Sequence, residues 1–293
     1  MLLQSSPTNN TTYQCLIADC GGTKTDWCLL SLNGEAFRFK TEGFNVSLRP
    51  VEEFYQFILE NLSPFLPQLQ SLQEVHFYGA GCTESIIPKV EQVFQKLFLS
   101  AHSHIYSDLL GAARALCGNK RGIAVILGTG SNSCLFDGEK IIRSISPLGY
   151  ILGDEGSGAV LGRRLLSDTF KGLLPSDVTK LFHSEYALSQ AELIQHVYRE
   201  SSANHYMASF VPFLGKHKEH PAIQQLLQEE FNRFFDRNIL PYSCSEEPIS
   251  FVGGVANAFR EIIISIAEEK GLITQNFLAS PIDGLVLYHS KLL

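Results

Sequence analysis

Three short glycine-rich segments and a few carboxylates carry most of the chemistry that the sequence offers. Asp19-Cys20-Gly21-Gly22-Thr23, Gly128-Thr129-Gly130-Ser131 and Gly253-Gly254 each follow an apolar run: Cys15 to Ala18, Ile123 to Leu127 and Ile249 to Val252. A glycine turn of this kind presents backbone N–H groups that a polyphosphate can approach closely, because no Cβ stands in the way. Taken singly, either of the first two reads better as a tight hairpin turn; together with the third glycine pair, after a strand and before a helix, they favour phosphate binding. Asp108 stands between a strand end and a helix start, which suits a general base or the helix N-cap that aspartate fills well. Asp154 and Glu155 lie in a loop bracketed by glycines, LGDEGSG at 152–158. Read by itself, that loop is a solvated acidic turn. The nine histidines form no H-E-x-x-H pattern and the seven cysteines no C-x-x-C pair. This weighs against zinc, an iron-sulfur centre and a disulfide scaffold.

The elements that must position these residues follow from periodicity. Cys15 to Ala18 and Trp27 to Leu32 read as strands on either side of the first glycine turn, and Asn33-Gly34 is a hairpin signal leading into Ala36 to Thr41. Phe54, Phe57, Ile58 and Leu62 recur at helical spacing, as do Ile86, Val90, Val93, Phe94 and Leu97, and strands Val75 to Tyr78 and His104 to Ser107 follow them. The order is βββαβαβα. At Gly122 the pattern restarts: Ile123 to Leu127, Ser133 to Phe136 and Lys140 to Ser146 repeat the meander, with Asp137-Gly138 as its second hairpin. Helices dominate from Ser157. They include a capping box at Ser189 to Glu192 and a long apolar face from Ile223 to Ile239, ended by Pro241. Ile249 to Val252 reads as the last strand and opens a helix through Ala267.

The combination DCGGTKT at 19–25, GTGSN at 128–132, LGDEGSG at 152–158 and FVGGVAN at 251–257 resembles the superfamily of sugar kinases, actin and heat-shock-chaperone ATPases. Within it the chain is most similar to the N-acetylglucosamine kinase branch, which also holds activators related to that of benzoyl-CoA reductase. Order and spacing agree from about Cys15 to Tyr288. The resemblance implies an α/β fold of two ribonuclease-H-like (actin-like ATPase) domains, 13–117 and 118–293, with a nucleotide cleft between them. It also implies ATP and Mg²⁺ as cofactors and a transferase that phosphorylates the 6-hydroxyl of an amino sugar. Asp108 becomes the base and Asp19 the metal residue, acting through the ion's water shell. Gly21, Gly22 and Thr23 hold phosphates from the first domain, and Thr129 and Gly130 meet them from the second. Gly253, Gly254 and Asn257 flank the adenosine. Asn45 in TEGFN, Ser131, Asn132, Gly149 and Asp154 correspond to sugar contacts. One departure is visible: the family usually carries Gly-Trp-Gly before the GDEGS loop, where this chain has Pro147-Leu148-Gly149.

Composition agrees with such a reading. The 293 residues are 45% hydrophobic and 18% charged, long enough for two domains. Lys+Arg 23 against Asp+Glu 30 leaves a net charge of -7, so no basic face for nucleic acid is expected. No apolar run is long enough for a membrane span, and the first dozen residues read as a polar tail and not a secretory signal, which leads to a cytoplasmic protein. The partners expected are the amino sugar and ATP, and a homodimer is compatible with the family. A non-kinase ATPase that activates a partner enzyme, a kinase for another hexose and a sugar-sensing module are the alternatives. The cysteine spacing of the cluster-bearing activators is absent, and so is the helix-turn-helix segment of sugar-responsive repressors.

Overall fold

Two mixed sheets are built on one plan in the computed structural model of the chain, which describes residues 11–290. Most of the expected polar tail, up to residue 10, lies outside the described residues. In the first sheet β1 (Cys15–Cys20) pairs antiparallel with β2 (Lys24–Leu30), and β2 with β3 (Ala36–Glu42). Gly34 takes φ +85° at the Asn33-Gly34 hairpin, a conformation that costs a residue without a Cβ little. β4 (Glu74–Gly79) and β5 (His102–Ser107) then add in parallel, giving the order β3-β2-β1-β4-β5.

The period of two in β1 sends its residues to two cores. Leu16, Ala18 and Cys20 face helices Val51–Leu62 and Ile87–Leu97 together with Trp27, Phe54, Phe77 and Phe94. Cys15 and Ile17 face the opposite side with Cys28, Leu30 and Tyr78.

The second sheet repeats the plan. β6 (Gly122–Leu127), β7 (Ser131–Phe136) and β8 (Ile141–Ile145) form the meander, and β9 (Ile249–Val252) and β10 (Thr274–Leu278) run parallel to β6, in the order β10-β9-β6-β7-β8. Its core gathers Val125, Leu127 and Phe251 with helices Gly158–Phe170, Pro221–Phe234 and Arg260–Glu269. The capping box at Ser189 and Glu192 is formed.

Three expectations are corrected. Ile249 to Val252 is not the last strand, because β10 follows it; TQNFL lies at the sheet edge, partly exposed, and so lacks a buried strand's apolar run. The helix from Ile223 does not run unbroken to Ile239 either: it is α-helical to Phe234, then makes a π-helical turn, Phe235–Ile239, before Leu240–Tyr242. Nor do residues 118–293 form one body. The chain divides into one unit up to Gly118 plus residues from Pro281, and a second from Asn119 to Ser280. Helix Ile282–Ser290 returns to the first sheet, where Ile282 and Leu285 bury against Ile17, Cys28 and Leu30. Gly284 allows the close approach: a Cβ there would collide with the backbone of Ala115 in helix Asp108–Cys117. No described helix is long and apolar enough to cross a membrane.

Candidate active site

In the first unit the carboxyl ends of β1, β4 and β5 lie side by side, where open α/β sheets bind ligands. Asp19 is the penultimate residue of β1, in register with Asp26 on β2 and Tyr78 on β4. Desolvation first, and then the Asp108 and Asp26 carboxylates, push its carboxyl up to about 7, against the opposing pull of Lys24. Asp26 itself is buried and paired with Lys24 at 2.8 Å and Lys40 at 3.3 Å. Asp108 opens the helix after β5. Desolvation raises its carboxyl to about 6, although the Leu109 N–H donates to its Oδ1 at 2.8 Å.

Asp108 is not the helix cap. The Ser107 hydroxyl fills that role by accepting from the Leu110 N–H at 3.2 Å.

The Gly21-Gly22-Thr23 turn is held by the Gly21 N–H donating to Lys24 O at 2.9 Å and the Gly43 N–H donating to Thr23 O at 3.0 Å. Gly43 went unnoticed in the sequence, yet a Cβ on it would stand 2.6 Å from Thr23 N and so inside the turn's backbone. Gly43→Ala is therefore expected to distort the turn and lower Tm, as read by thermal melts. Asn45 lies over the end of β4, where its Oδ1 accepts from Ser47 N–H at 3.0 Å and from Ser47 Oγ at 2.7 Å. Gly81, at φ +79°, makes room for it, since a Cβ there would overlap Asn45 Oδ1.

The second unit brings Gly130, Ser131 and Asp154 together. The turn between β6 and β7 closes with the Gly128 N–H donating to Gly130 O at 3.0 Å. Its Gly128 and Thr129 carbonyls accept from the N–H groups of Gly158 and Ala159, at 2.8 and 3.0 Å, at the start of helix Gly158–Phe170. The Ser131 N–H points at Asp154 Oδ1 across 3.4 Å, and desolvation, followed by the Glu155 charge, raises the Asp154 carboxyl. Asp154 sits at φ +52°, a left-handed conformation that aspartate tolerates better than most residues. Asn132 turns its Oδ1 to the Ser133 N–H at 2.9 Å. Gly149, at φ +73°, accepts from the Gly153 N–H at 2.8 Å, and the Pro147 carbonyl accepts from the Asp154 N–H at 2.9 Å, so the segment in place of Gly-Trp-Gly folds back onto the acidic loop.

Gly253 and Gly254 have different reasons to be glycine. At φ +124°, with a Cβ that would strike the Leu127 carbonyl, Gly253 serves the packing of β9 against β6. A Cβ on Gly254 meets nothing within 4 Å, so the space it would fill is open to a ligand. Asn257, in the same short helix, is exposed, and its N–H donates to Gly253 O at 3.0 Å. Gly254→Val is expected to leave Tm nearly unchanged. Gly253→Val is expected to unfold the second unit, and thermal melts separate the two outcomes.

No protein-family model matches the chain, and no curated protein does. Among solved structures, a candidate N-acetylglucosamine kinase from Porphyromonas gingivalis is 42% identical, with a TM-score of 0.92 over 95% of this chain and 99% of that one. A second candidate N-acetylglucosamine kinase, from Chromobacterium violaceum, is 19% identical with a TM-score of 0.73, covering 94% of this chain and 99% of its own. A ROK family glucokinase from Streptomyces griseus, solved with glucose and AMPPNP, is 15% identical with a TM-score of 0.56 over 94% and 98% of the two chains. These two share the fold, that of actin-like ATPases. With 42% identity maintained along nearly the whole of both chains, the protein belongs to the N-acetylglucosamine kinase family.

Proposed function

We propose that the protein is an ATP-dependent sugar kinase of the cytoplasm that phosphorylates the 6-hydroxyl of N-acetylglucosamine or a close amino sugar. The observation that carries this reading is the pair of raised carboxylates at the strand ends of the first sheet, Asp108 at about 6 and Asp19 at about 7, in a chain of this family. A base poised just below neutral pH suits proton removal from an alcohol that becomes nucleophilic only as it attacks. Asp108 accepts the hydroxyl proton as the sugar oxygen bonds to the γ-phosphorus and the bond to the β-phosphate oxygen breaks, releasing ADP. Little covalent work falls to the protein, so positioning and charge stabilisation dominate.

The Asp108 charge raises Asp19, and a divalent cation bound beside Asp19 would relieve that repulsion. Mg²⁺ is typically held by one or two carboxylates plus phosphate oxygens, so Asp19 would hold the ion, which supplies neutralisation of charge on the transferring phosphoryl group. Asp154 receives sugar hydroxyls, with Ser131, Asn132, Gly149 and Asn45 as further contacts. Gly21, Gly22, Thr23, Thr129 and Gly130 take the phosphates, and Gly253, Gly254 and Asn257 the adenosine. A panel of N-acetylglucosamine, glucosamine, N-acetylmannosamine and glucose, assayed for sugar-dependent ADP release, tests the proposal. ADP release that ignores every sugar points instead to an ATPase acting on a partner.

A further inference from the structure

The helix that begins at Pro221 changes its winding where it passes the acidic loop. Phe235–Ile239 is a π-helical turn, a form that occurs mostly as single insertions and often near functional sites. It accommodates two demands at once. Phe234, Phe235 and Ile239 remain in the core, while the successive residues Arg237 and Asn238 both reach Glu155. Glu155 is only 5% exposed and ends in two bonds, Arg237 Nε to Oε1 at 2.5 Å and Asn238 Nδ2 to Oε2 at 3.2 Å. Desolvation alone would raise its carboxyl, but its own backbone N–H, the Asn238 amide and the Arg237 guanidinium hold it below the usual value.

Glu155 lies between two left-handed residues, Asp154 at φ +52° and Gly156 at φ +72°. A Cβ on Gly156 would stand 2.9 Å from Phe234 Cβ, so the loop rests directly on the turn before the π segment. The same π turn reaches the other sugar-facing strand: the Asn238 carbonyl accepts from Ser133 Oγ at 3.1 Å, and Ser133 Oγ meets the Tyr242 hydroxyl at 2.9 Å. Left-handed backbone in a residue with a side chain persists only where its surroundings over-determine it. Here the surroundings are the bonds of Asp154 itself, from its N–H to Pro147 O and from the Ser157 N–H to its carbonyl, together with Arg237 and Asn238 acting through the adjacent Glu155.

We infer that Arg237 and Asn238 are positioning residues for the sugar, which clamp Glu155 so that its neighbour Asp154 is held in the left-handed conformation that aims its carboxylate beside Ser131. The inference rests on the proposed role of Asp154 toward sugar hydroxyls. Neither residue touches the substrate itself. An indirect support of this kind typically carries a 10- to 100-fold effect when removed from a metal site, and a similar or smaller one is expected for a sugar.

The experiment compares Arg237→Met, Arg237→Lys, Glu155→Gln and the double variant Arg237→Met/Glu155→Gln. Arg237→Met is expected to raise KM for N-acetylglucosamine tenfold or more and lower kcat by less, with the Kd for ATP unchanged. Lysine, which keeps the charge, is expected to restore most of the loss. The double variant should be no worse than Glu155→Gln, because Arg237 acts only through that carboxylate.

Hydrogen exchange on the same proteins needs no substrate. In Arg237→Met the amides of Asp154 and Ser157, bonded to Pro147 O and Asp154 O, are expected to exchange at least tenfold faster, while that of Gly158, bonded to Gly128 O, keeps its wild-type rate. Unchanged exchange at Asp154 and Ser157 overturns the inference, and so does a loss of Tm and kcat with KM unmoved. If exchange responds as expected but wild-type protein phosphorylates no sugar, the clamp stands and the proposed function falls.

Discussion

Asp108→Asn is expected to lower kcat for sugar phosphorylation by roughly 10² to 10⁴ while the Kd for ATP changes less than twofold. Asparagine keeps the shape and can still accept from the Leu109 N–H, and the helix keeps its Ser107 cap, so what disappears is the proton acceptor. The pH profile of the wild type carries the same signature. With Asp108 at about 6 and Asp19 at about 7, the ionised forms of both fall away below neutral pH, so kcat/KM should bend down between pH 7 and 6 and not near 3.8.

Stability should move the other way. A carboxyl whose pKa is raised on folding favours the native state below its unfolded value, and that contribution is lost as pH rises from about 3.8 through about 6. At pH 7.5 wild-type protein therefore bears the cost of a desolvated charge that Asn lacks. The variant should melt a few degrees higher, on the order of 1 kcal/mol, and the advantage should vanish near pH 4. A variant with full turnover, or one less stable than wild type at pH 7.5, would show that Asp108 is structural.

Asp154→Asn should raise KM for the sugar by roughly 10- to 100-fold, the worth of a hydrogen bond to a charged rather than a neutral acceptor. Asparagine tolerates the left-handed backbone at φ +52° and keeps an oxygen for the Ser131 N–H, which makes it a cleaner probe than alanine. Asp154→Gly, which relieves the backbone but removes the carboxylate, should lose sugar affinity to at least the same degree without losing Tm. If Asn and wild type bind N-acetylglucosamine equally in calorimetry, the carboxylate does not contact the sugar.

Much of this molecule was legible because local chemistry and global fold agree. The apolar runs Cys15 to Ala18 and Trp27 to Leu30, the Asn33-Gly34 hairpin and the helical recurrence of Phe54, Phe57 and Ile58 each point to the element that forms. The glycine turns of both sheets were visible for the same reason. Features set by distant packing were not. Gly43 is 20 residues or so from the turn it supports, and nothing in TEGFN marks the collision a methyl group would cause. β10 is a partly exposed edge strand, and Ser107 outcompetes Asp108 as cap by one position, within the error of any boundary read from sequence. The π turn at Phe235 lies inside an unbroken apolar pattern and becomes visible only once Arg237 and Asn238 are seen on Glu155.

The return of helix Ile282–Ser290 to the first sheet also sets an order in time. That sheet is complete once Ser107 has been made, but the apolar face formed by Cys15, Ile17, Cys28 and Leu30 has no terminal helix to cover it until the roughly 160 residues from Asn119 to Ser280 have been translated. At typical rates of synthesis that is on the order of 10 s, far longer than a strand or helix needs to form. Through that interval the part of this face beside helix Asp108–Cys117 that Ile282 and Leu285 later cover stays uncovered, and exposed apolar surface is the feature molecular chaperones bind.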